Sequence, residues 1–287
     1  MFFVIFIIPP AERRDAVTRK FRTLAIFAVF LLALCLSTSF RGAEAESRPA
    51  KSAADAWEAL IDQSLDQLEK QQFEPARLSA GKALKLAEET FGAGHVETAN
   101  TLAVLGHIYD MQGKYSQSVH LWRRALTIME KNFGPAHPVV ADFSRYLALT
   151  DWNTGKLDEA AALYQRALSI LEKAQGQSSP ELDLPLYALG SLQIERKKYA
   201  EAEALLERLL AIRRRVNGPE SREVADALDA LSAVYRAQNR IGEAEAARLE
   251  AEKIVKALAT RPASAPGSRA GAGESASKAA QRRKGQK

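Results

Sequence analysis

The four histidines are the residues of this chain best suited to supply acid, base or metal-ligand chemistry. They are His95, His107, His120 and His137. Only His107 has an acidic residue three positions later, Asp110, and that spacing puts two side chains on one helix face. Catalysis or metal binding needs further converging groups, and neither a cysteine nor a second histidine can join this pair. We therefore expect the histidines to have structural or surface roles.

The other residue types also argue against an enzyme. The single cysteine, Cys35, lies in an apolar N-terminal run, so the rest of the chain can form neither a disulfide nor a thiolate metal site. The sequence has no glycine-rich phosphate loop, nucleophile elbow or zinc-binding pattern. We therefore predict a protein that is not an enzyme, with no catalytic residue, no metal, no cofactor and no small-molecule substrate.

The elements that position these residues recur along the chain with a fixed period. Glycines that follow long amphipathic runs are spaced 42 residues apart, at Gly92, Gly134, Gly176 and Gly218. A second ladder with the same step marks a turn between two helical runs, at Gln71, Gly113, Gly155, Lys197 and Asn239. Equal spacing indicates repeats rather than a single globular core. The pattern predicts five helix-turn-helix hairpins, with a left-handed residue closing the helices at the glycines of the first ladder.

Small residues recur at the points where two helices of a hairpin should cross, because close approach needs short side chains there. In the first helices they are Ser64, Gly106, Ala148, Gly190 and Ser232. In the second helices they are Ala76, Ser118, Ala160, Ala202 and Ala244, followed by a further column at Ala83, Ala125, Ala167, Leu209 and Ala251. Only Leu209 breaks the pattern. Bulky residues such as Trp122 fill the positions between.

These columns resemble the tetratricopeptide repeat, and the 42-residue period resembles the repeats of kinesin light chains and their bacterial relatives. Their turn, Ala-Leu-x-Ile run and His-Pro link reappear here at residues 113–115, 125–128 and 134–138. The resemblance implies an all-α, right-handed α-solenoid of about five hairpins over residues 54–259. We place the hairpins at about 54–91, 96–133, 138–175, 180–217 and 222–259, after a linker at 46–53. For function it implies an interaction scaffold, because this family serves many partners.

The pattern of the N-terminal 45 residues predicts that the protein is exported. Five basic residues between Arg13 and Arg22 precede the apolar run 24–36, and Ala43-Glu44-Ala45 follows as a cleavage site. This order describes a signal peptide cut before Glu46. Two alternatives stay open: an uncleaved membrane anchor over residues 23–40, and a lipoprotein site at Cys35, although Leu34 is bulkier than such sites use. The basic flank favours repeats that are periplasmic or secreted.

Charge is distributed unevenly along the chain. The formal net charge is +5, but residues 1–45 carry six basic and three acidic residues, and residues 260–287 carry seven and one. The body at residues 46–259 is therefore mildly acidic, which argues against nucleic-acid binding. Residues 260–287 are rich in Ala, Ser, Gly, Pro and basic side chains, which predicts a disordered tail able to make weak contact with an anionic surface.

The resemblance implies that the first helix of each hairpin lines a concave face that binds a protein or peptide. Mapping that face with the 42-residue step gives partner-binding candidates at Asn100, His107, Asp142, Arg145, Trp152, Tyr187, Ser191 and Glu195. Kinesin-light-chain repeats commonly place an asparagine pair there, and this chain lacks that ladder. Arg145, Trp152 and Tyr187 are of types that anchor interfaces. The alternative function is a structural assembly factor that self-associates through its end hairpins.

Overall fold

The computed structural model describes residues 48–260 of the chain. These residues form ten α-helices and one short 3₁₀ turn. The bounds are α1 Arg48–Glu69, α2 Phe73–Thr90, α3 Val96–Met111, α4 Tyr115–Phe133, α5 Pro138–Asn153, α6 Leu157–Gln175, the 3₁₀ turn Pro180–Leu182, α7 Asp183–Glu195, α8 Tyr199–Asn217, α9 Arg222–Ala237 and α10 Ile241–Thr260. No strand occurs among these described residues. The predicted all-α class built from helix hairpins is confirmed.

Consecutive helices pair into five hairpins, α1/α2 to α9/α10. Among the described residues, 48–209 form one compact unit and 210–260 a second, with the boundary inside α8. Within the first unit, each second helix also packs on the first helix of the next hairpin, as α2 does on α3 and α4 on α5. Burying one helix face against its own hairpin and another against the next is how a repeat protein builds a continuous core.

The predicted small residues lie where the helices of a hairpin cross. A Cβ atom added to Gly106 would lie 2.9 Å from Nε1 of Trp122, and one added to Gly190 would lie 3.0 Å from Leu206. Serines in these columns bond across the hairpin: Ser64 Oγ donates to the Ala76 carbonyl at 2.8 Å, and Ser118 Oγ donates to the Gly106 carbonyl at 2.8 Å. Small residues therefore provide both close approach and hydrogen bonds that satisfy buried backbone oxygens.

The left-handed residues that close helices belong to the second ladder, which corrects the sequence-based assignment. Gln71, Gly113, Gly155, Lys197 and Asn239 all have φ between 58° and 82°. In the second hairpin, Lys114 N–H donates to the Tyr109 carbonyl at 2.9 Å and Gly113 N–H donates to the Asp110 carbonyl at 3.0 Å. This pair of bonds is the Schellman motif. It recurs in all five hairpin turns.

The glycines between hairpins adopt a different conformation. Gly134 has φ 85° and ψ 155°, and Gly176 has φ 87° and ψ 160°. Positive φ is therefore as predicted, but ψ lies far from the left-handed helical region, in a region that only glycine occupies readily. The extended ψ turns the chain away from the finished helix and into the loop that leads to the next hairpin.

His95 and His137, at the ends of two of these loops, are the N-cap residues of α3 and α5. His95 Nδ1 accepts a hydrogen bond from Glu97 N–H at 3.2 Å, and His137 Nδ1 accepts one from Val139 N–H at 3.2 Å. Each ring also stacks on the phenylalanine that ends the preceding hairpin, His95 on Phe91 and His137 on Phe133. These contacts give both side chains a structural role as helix N-caps.

Two helix boundaries differ from those expected. Helix α1 begins at Arg48, so residues 48–53 are helical rather than part of the predicted 46–53 linker. Their alanine content favours a helix despite the polar neighbours. In the fourth hairpin the α-helix begins at Asp183, after a 3₁₀ turn that starts at Pro180. This shift puts Pro185 in the first turn of α7, where no intrahelical N–H bond is lost.

The predicted leader at residues 1–45, the first two linker residues and all but the first residue of the predicted tail lie outside the described residues. Across residues 48–260, none of the helices is sufficiently long and apolar to span a membrane.

Candidate functional site

Helix α5 presents a half-buried cluster on the face that the sequence predicted to bind a partner. Arg145 Nη2 donates to Asp142 Oδ1 at 2.8 Å, one helical turn earlier. The guanidinium carbon lies 4.8 Å from the centroid of the Tyr146 ring, which is cation–π distance. The Arg145 side chain is 12% exposed and that of Asp142 is 34% exposed. Asp142 is therefore the more accessible member, held in place by Arg145.

The base of this cluster is fixed by aromatic packing between hairpins. The Tyr146 ring stacks on Trp122 of α4 with 4.8 Å between ring centroids, and Phe143 meets Trp122 edge to face. Trp122 Nε1 donates to Asp110 Oδ2 at 2.8 Å. Thr150 Oγ1 lies 3.1 Å from both oxygens of the same carboxylate. We call Asp142, Arg145, Tyr146 and Trp122 the Arg145 cluster. Each of its members is held by a contact within the protein.

Burial shifts the protonation equilibria of this cluster. Burial by itself would lower the pKa of Arg145, but Tyr146 and Asp142 more than offset it and leave the pKa raised. Burial also raises the pKa of Tyr146, although Arg145 opposes that shift. At neutral pH Arg145 is thus a guanidinium and Tyr146 a phenol, and Arg145 is paired with the side chain of Asp142. These groups can bind polar and aromatic side chains or backbone amides.

Two predicted contact residues are buried, which corrects their assignment to an accessible face. Trp152 is 3% exposed, and its Nε1 donates to Glu195 Oε2 at 2.9 Å. Its ring also meets Tyr164 edge to face. His107 is 6% exposed. Trp152 lies seven residues after Arg145, only about 20° short of two full turns, so the two residues share a helix face. The Trp152 ring is buried because it packs against Tyr164 of its own hairpin and bonds to Glu195 of the next.

The other predicted residues stay partly accessible. Asn100 Nδ2 donates to Glu97 Oε2 at 3.0 Å, while its Oδ1 has no hydrogen-bond partner within the described part of the chain. Tyr187, Ser191 and Glu195 of α7 are all half-buried. Glu195 is engaged by Trp152. The structure therefore leaves Asn100, Asp142, Arg145, Tyr187 and Ser191 as candidate contacts, and their role in binding stays a prediction.

Sequence reasoning missed the residues that support the Arg145 cluster. Tyr146, Asp110 and Thr150 have no equivalents of the same type in neighbouring repeats, where the corresponding positions carry Val104, Trp152 and Ile108. The available signal was that Tyr146 and Thr150, both in the third hairpin, differ in type from the residues at their positions in the second. Their hydrogen bonds could not be read from spacing, because Thr150 and Asp110 lie in different hairpins.

The fifth hairpin carries acidic residues at the same register. Asp226 and Asp229 of α9 occupy the positions of Asp142 and Arg145. Burial, together with Asp226 and Glu252, raises the pKa of Asp229 from 3.8 to about 6, although Arg222 and Arg248 oppose the shift. Within residues 48–260, no group of three or more His, Cys, Asp or Glu side chains is arranged to hold a metal ion.

A family model described as tetratricopeptide repeat matches residues 68–131, 112–173 and 182–257. The chain belongs to the tetratricopeptide repeat family. Such repeats mediate protein–protein interactions and are generally non-catalytic scaffolds. No curated protein matches this tetratricopeptide repeat chain in sequence.

Solved structures share the fold. A kinesin light chain of Podospora anserina with nearly identical TPR-like repeats has a TM-score of 0.65 and 18% identity, covering 76% of this chain and 100% of its own. BtubC (BKLC) from P. vanneervenii has a TM-score of 0.65 and 22% identity, covering 89% and 94%. PilF of Pseudomonas aeruginosa has a TM-score of 0.52 and 17% identity, covering 70% and 78%. The predicted tetratricopeptide repeat is confirmed, and its fold is similar to that of kinesin-light-chain-like repeat proteins.

Proposed function

We propose that this tetratricopeptide repeat protein is a non-catalytic scaffold of the bacterial cell envelope that binds a protein segment on the face of α3, α5 and α7. The Arg145 cluster carries the proposal. It combines a partly exposed carboxylate, a guanidinium and stacked aromatic rings, all held by contacts within the protein. Anchors that are ordered before binding lose little conformational entropy in a complex.

Asp142 is the expected point of contact, and Arg145 positions it. A carboxylate that is 34% exposed can accept hydrogen bonds from the backbone amides or basic groups of a partner. Tyr187 of α7 occupies the register of Arg145 in the next hairpin and is also half-buried. A segment that crosses the third and fourth hairpins would therefore meet both side chains.

The test replaces both residues and measures capture of envelope proteins by crosslinking and mass spectrometry. Arg145→Ala with Tyr187→Ala should remove the specifically enriched partner, because losing one anchor typically costs about 2 kcal/mol, or roughly thirtyfold in affinity. Alanine is compatible with this register, since Ala103 holds it in the second hairpin. Circular dichroism and the melting temperature should change little.

A matched control replaces His120 and Arg123, which lie exposed on the second helix of their hairpin. Capture that survives the Arg145 and Tyr187 changes but is lost in the control would locate binding on the other face. Capture that is lost only when residues 260–287 are removed would assign it to the basic tail. Either result would overturn the proposed site.

The envelope location is supported by the basic residues before the apolar run 24–36 and by the site Ala43-Glu44-Ala45. Fractionation with N-terminal sequencing tests it. A soluble product that begins at Glu46 fits a cleaved leader, whereas full-length protein in the membrane fits an anchor. Recovery of uncut protein from the cytosol would contradict both.

A further inference from the structure

The helix caps at the inter-hairpin loops are of two chemical kinds. The four cap residues are spaced 42 positions apart, at His95, His137, Ser179 and Ser221. In the first two caps, Nδ1 of the histidine accepts a hydrogen bond from the backbone N–H two residues later. In the last two, Ser179 Oγ accepts from Glu181 N–H and Ser221 Oγ accepts from Val224 N–H, both at 3.3 Å. An imidazole can gain a proton in the physiological pH range, whereas a hydroxyl does not.

The residue four positions before each cap differs in the same way as the cap itself. Phe91 and Phe133 precede the two histidines, and each ring stacks on the imidazole, with 5.2 and 5.0 Å between ring centroids. The residues at this register before the serines are Gln175 and Asn217, which are polar. Gln175 Oε1 accepts a hydrogen bond from Ser179 Oγ at 2.9 Å. The chain therefore uses an aromatic-imidazole pair to start α3 and α5, and a polar pair at the two later helix starts.

Protonation removes the acceptor of the imidazole caps. A neutral histidine accepts through Nδ1 when its hydrogen is on Nε2, but the imidazolium carries a hydrogen on both nitrogens. The backbone N–H groups of Glu97 and Val139 would then lose their bonds to the caps. The new positive charge also lies at a helix N-terminus, where the macrodipole disfavours a cation. A phenylalanine ring attracts an imidazolium, so the stack keeps the ring beside the helix start while the cap bond is lost.

The charged groups around the His137 cap are paired with one another. Arg166 of α6 donates from Nη2 to the Pro135 carbonyl of this loop at 3.1 Å and forms an ion pair with Glu130 of α4. Within α5, Asp142 pairs with Arg145. Carboxylates and guanidinium groups ordinarily keep their charges between about pH 5.5 and 7.5. Among these groups, the His137 imidazole is therefore the one whose charge is expected to change in that range.

The His95 cap has a similar setting. Glu88 of α2 pairs with Arg124 of α4 at 2.5 Å, one turn before the loop begins. In the first turn of α3, the Glu97 carboxylate accepts a hydrogen bond from Asn100 Nδ2 at 3.0 Å. The neighbouring acidic groups are thus engaged here as well, and the cap imidazole again supplies the expected charge change.

We propose that His95 and His137 make the starts of α3 and α5 sensitive to acid, whereas the helix starts capped by serine are not. The cap bonds stabilise these helix starts while the rings are neutral and are lost as pH falls from about 7.5 to about 5.5, so that the first turns open more often. Asn100 and Asp142 each lie five residues after a cap. A consequence that rests on the proposed function is that partner binding through these residues weakens in acid.

The test is backbone hydrogen exchange of the full-length chain at about pH 5.5 and 7.5, with each rate corrected for its intrinsic value. Protection at the starts of α3 and α5 should fall roughly fivefold in acid, as expected for the loss of one cap, while the start of α9 stays unchanged. His95→Ser with His137→Ser should abolish the fall, because the chain already uses serine at this register. His107, which is buried in α3, is present in both proteins, so its protonation cancels in the comparison.

A second variant transfers the device to another helix. Asn217→Phe with Ser221→His supplies both the stacking ring and the imidazole, and should make the start of α9 acid-sensitive. His120→Ser, at an exposed position of α4 that caps no helix, is the matched control and should leave the response unchanged.

The proposal would be overturned by equal protection of the native helix starts at both pH values, by a fall that persists in the serine variant, or by a transferred pair without effect. Exchange is measured without a partner, so a wrong binding face would leave these results unchanged. Partner capture that ignores pH while exchange responds would contradict only the consequence for binding.

Discussion

The second and fifth hairpins share one repeat pattern but use it differently. In the second, Gly106 admits the Trp122 ring, and Trp122 in turn supports Tyr146 of the next hairpin. In the fifth, the same two positions hold Ser232 and Arg248. Ser232 Oγ donates to the Ala244 carbonyl at 2.7 Å, so the crossing is kept. The repeat thus fixes the crossing of two helices, while the residue beside it decides whether the outer face joins another hairpin or meets solvent.

The largest expected effect is at Trp122. Trp122→Ala should destabilise the protein by about 3–5 kcal/mol, because it empties a buried volume and removes the stack under Tyr146. Arg248→Ala, at the same register of α10, should cost less than about 1 kcal/mol, since Arg248 is partly exposed and its ion pair is with Glu252 on the same helix. Urea unfolding of both variants measures the difference. Similar losses would show that the two positions are equivalent.

Replacing a helical glycine by alanine should change stability in opposite directions in the second and fifth hairpins. Gly106→Ala should cost about 1–3 kcal/mol, because the added Cβ would lie 2.9 Å from Nε1 of Trp122. At Gly242 in α10, no atom of residues 48–260 lies within 4 Å of an added Cβ, so Gly242→Ala should stabilise the helix by about 0.5–1 kcal/mol. Thermal unfolding checks the first change, and amide hydrogen exchange within α10 checks the second. A gain for both would mean that the Trp122 side chain moves aside easily.

Much of the difference between the second and fifth hairpins can be predicted from the sequence, because it depends on residues at periodic positions. The small columns and the two turn ladders follow from counting, and the crossings at Gly106 and Gly190 are where they were expected. The left-handed residues were predicted at the glycines between hairpins but lie in the turns within hairpins. Glycine adopts positive φ at both places, and only the ψ angle distinguishes the two conformations. Lys197 and Gln71 could not indicate a left-handed turn by type.

The candidate site was predicted less well than the fold. Helix periodicity put Asp142 and Arg145 on one helix face, where they form an ion pair, but it did not separate an accessible residue from one turned into the next hairpin. Trp152 was expected to be accessible and is buried for that reason. The contacts of Asp110 with Trp122 and Thr150 join two hairpins, and neither residue type predicts a buried network without the packing that surrounds it.

The third prediction concerns pH and the register shared by Arg145 and Asp229. Because the pKa of Asp229 is raised from 3.8 to about 6, the folded fifth hairpin holds a proton that the unfolded chain releases. The contribution of Asp229 to the free energy of unfolding is fully present below about pH 4 and is lost as the pH rises through about 6. Asp229→Asn should therefore stabilise the hairpin above pH 6 and have little effect below pH 4.

Hydrogen exchange of α9 and α10 at several pH values measures this change, with the exposed Asp55→Asn as a control. Desolvation is the largest cause of the raised pKa, followed by Asp226 and Glu252, so the gain should persist when salt is added but become smaller. A gain that does not depend on pH would mean that asparagine stabilises the hairpin for reasons other than charge.

The smallest expected effect is at the turns, where the two hairpins differ least. Gly113 and Asn239 both have positive φ, 72° and 63°, and both close a Schellman motif. Asparagine tolerates this conformation better than other residues with a side chain, so Asn239→Gly should change stability by less than about 0.5 kcal/mol. Lys197→Gly, at φ 59° in the fourth hairpin, should gain about 1 kcal/mol because lysine has no such tolerance. Differential scanning calorimetry of the two variants tests the order. A larger gain at Asn239 would mean that its side chain strains the turn, and the equivalence of the five hairpin turns would then fail at the last one.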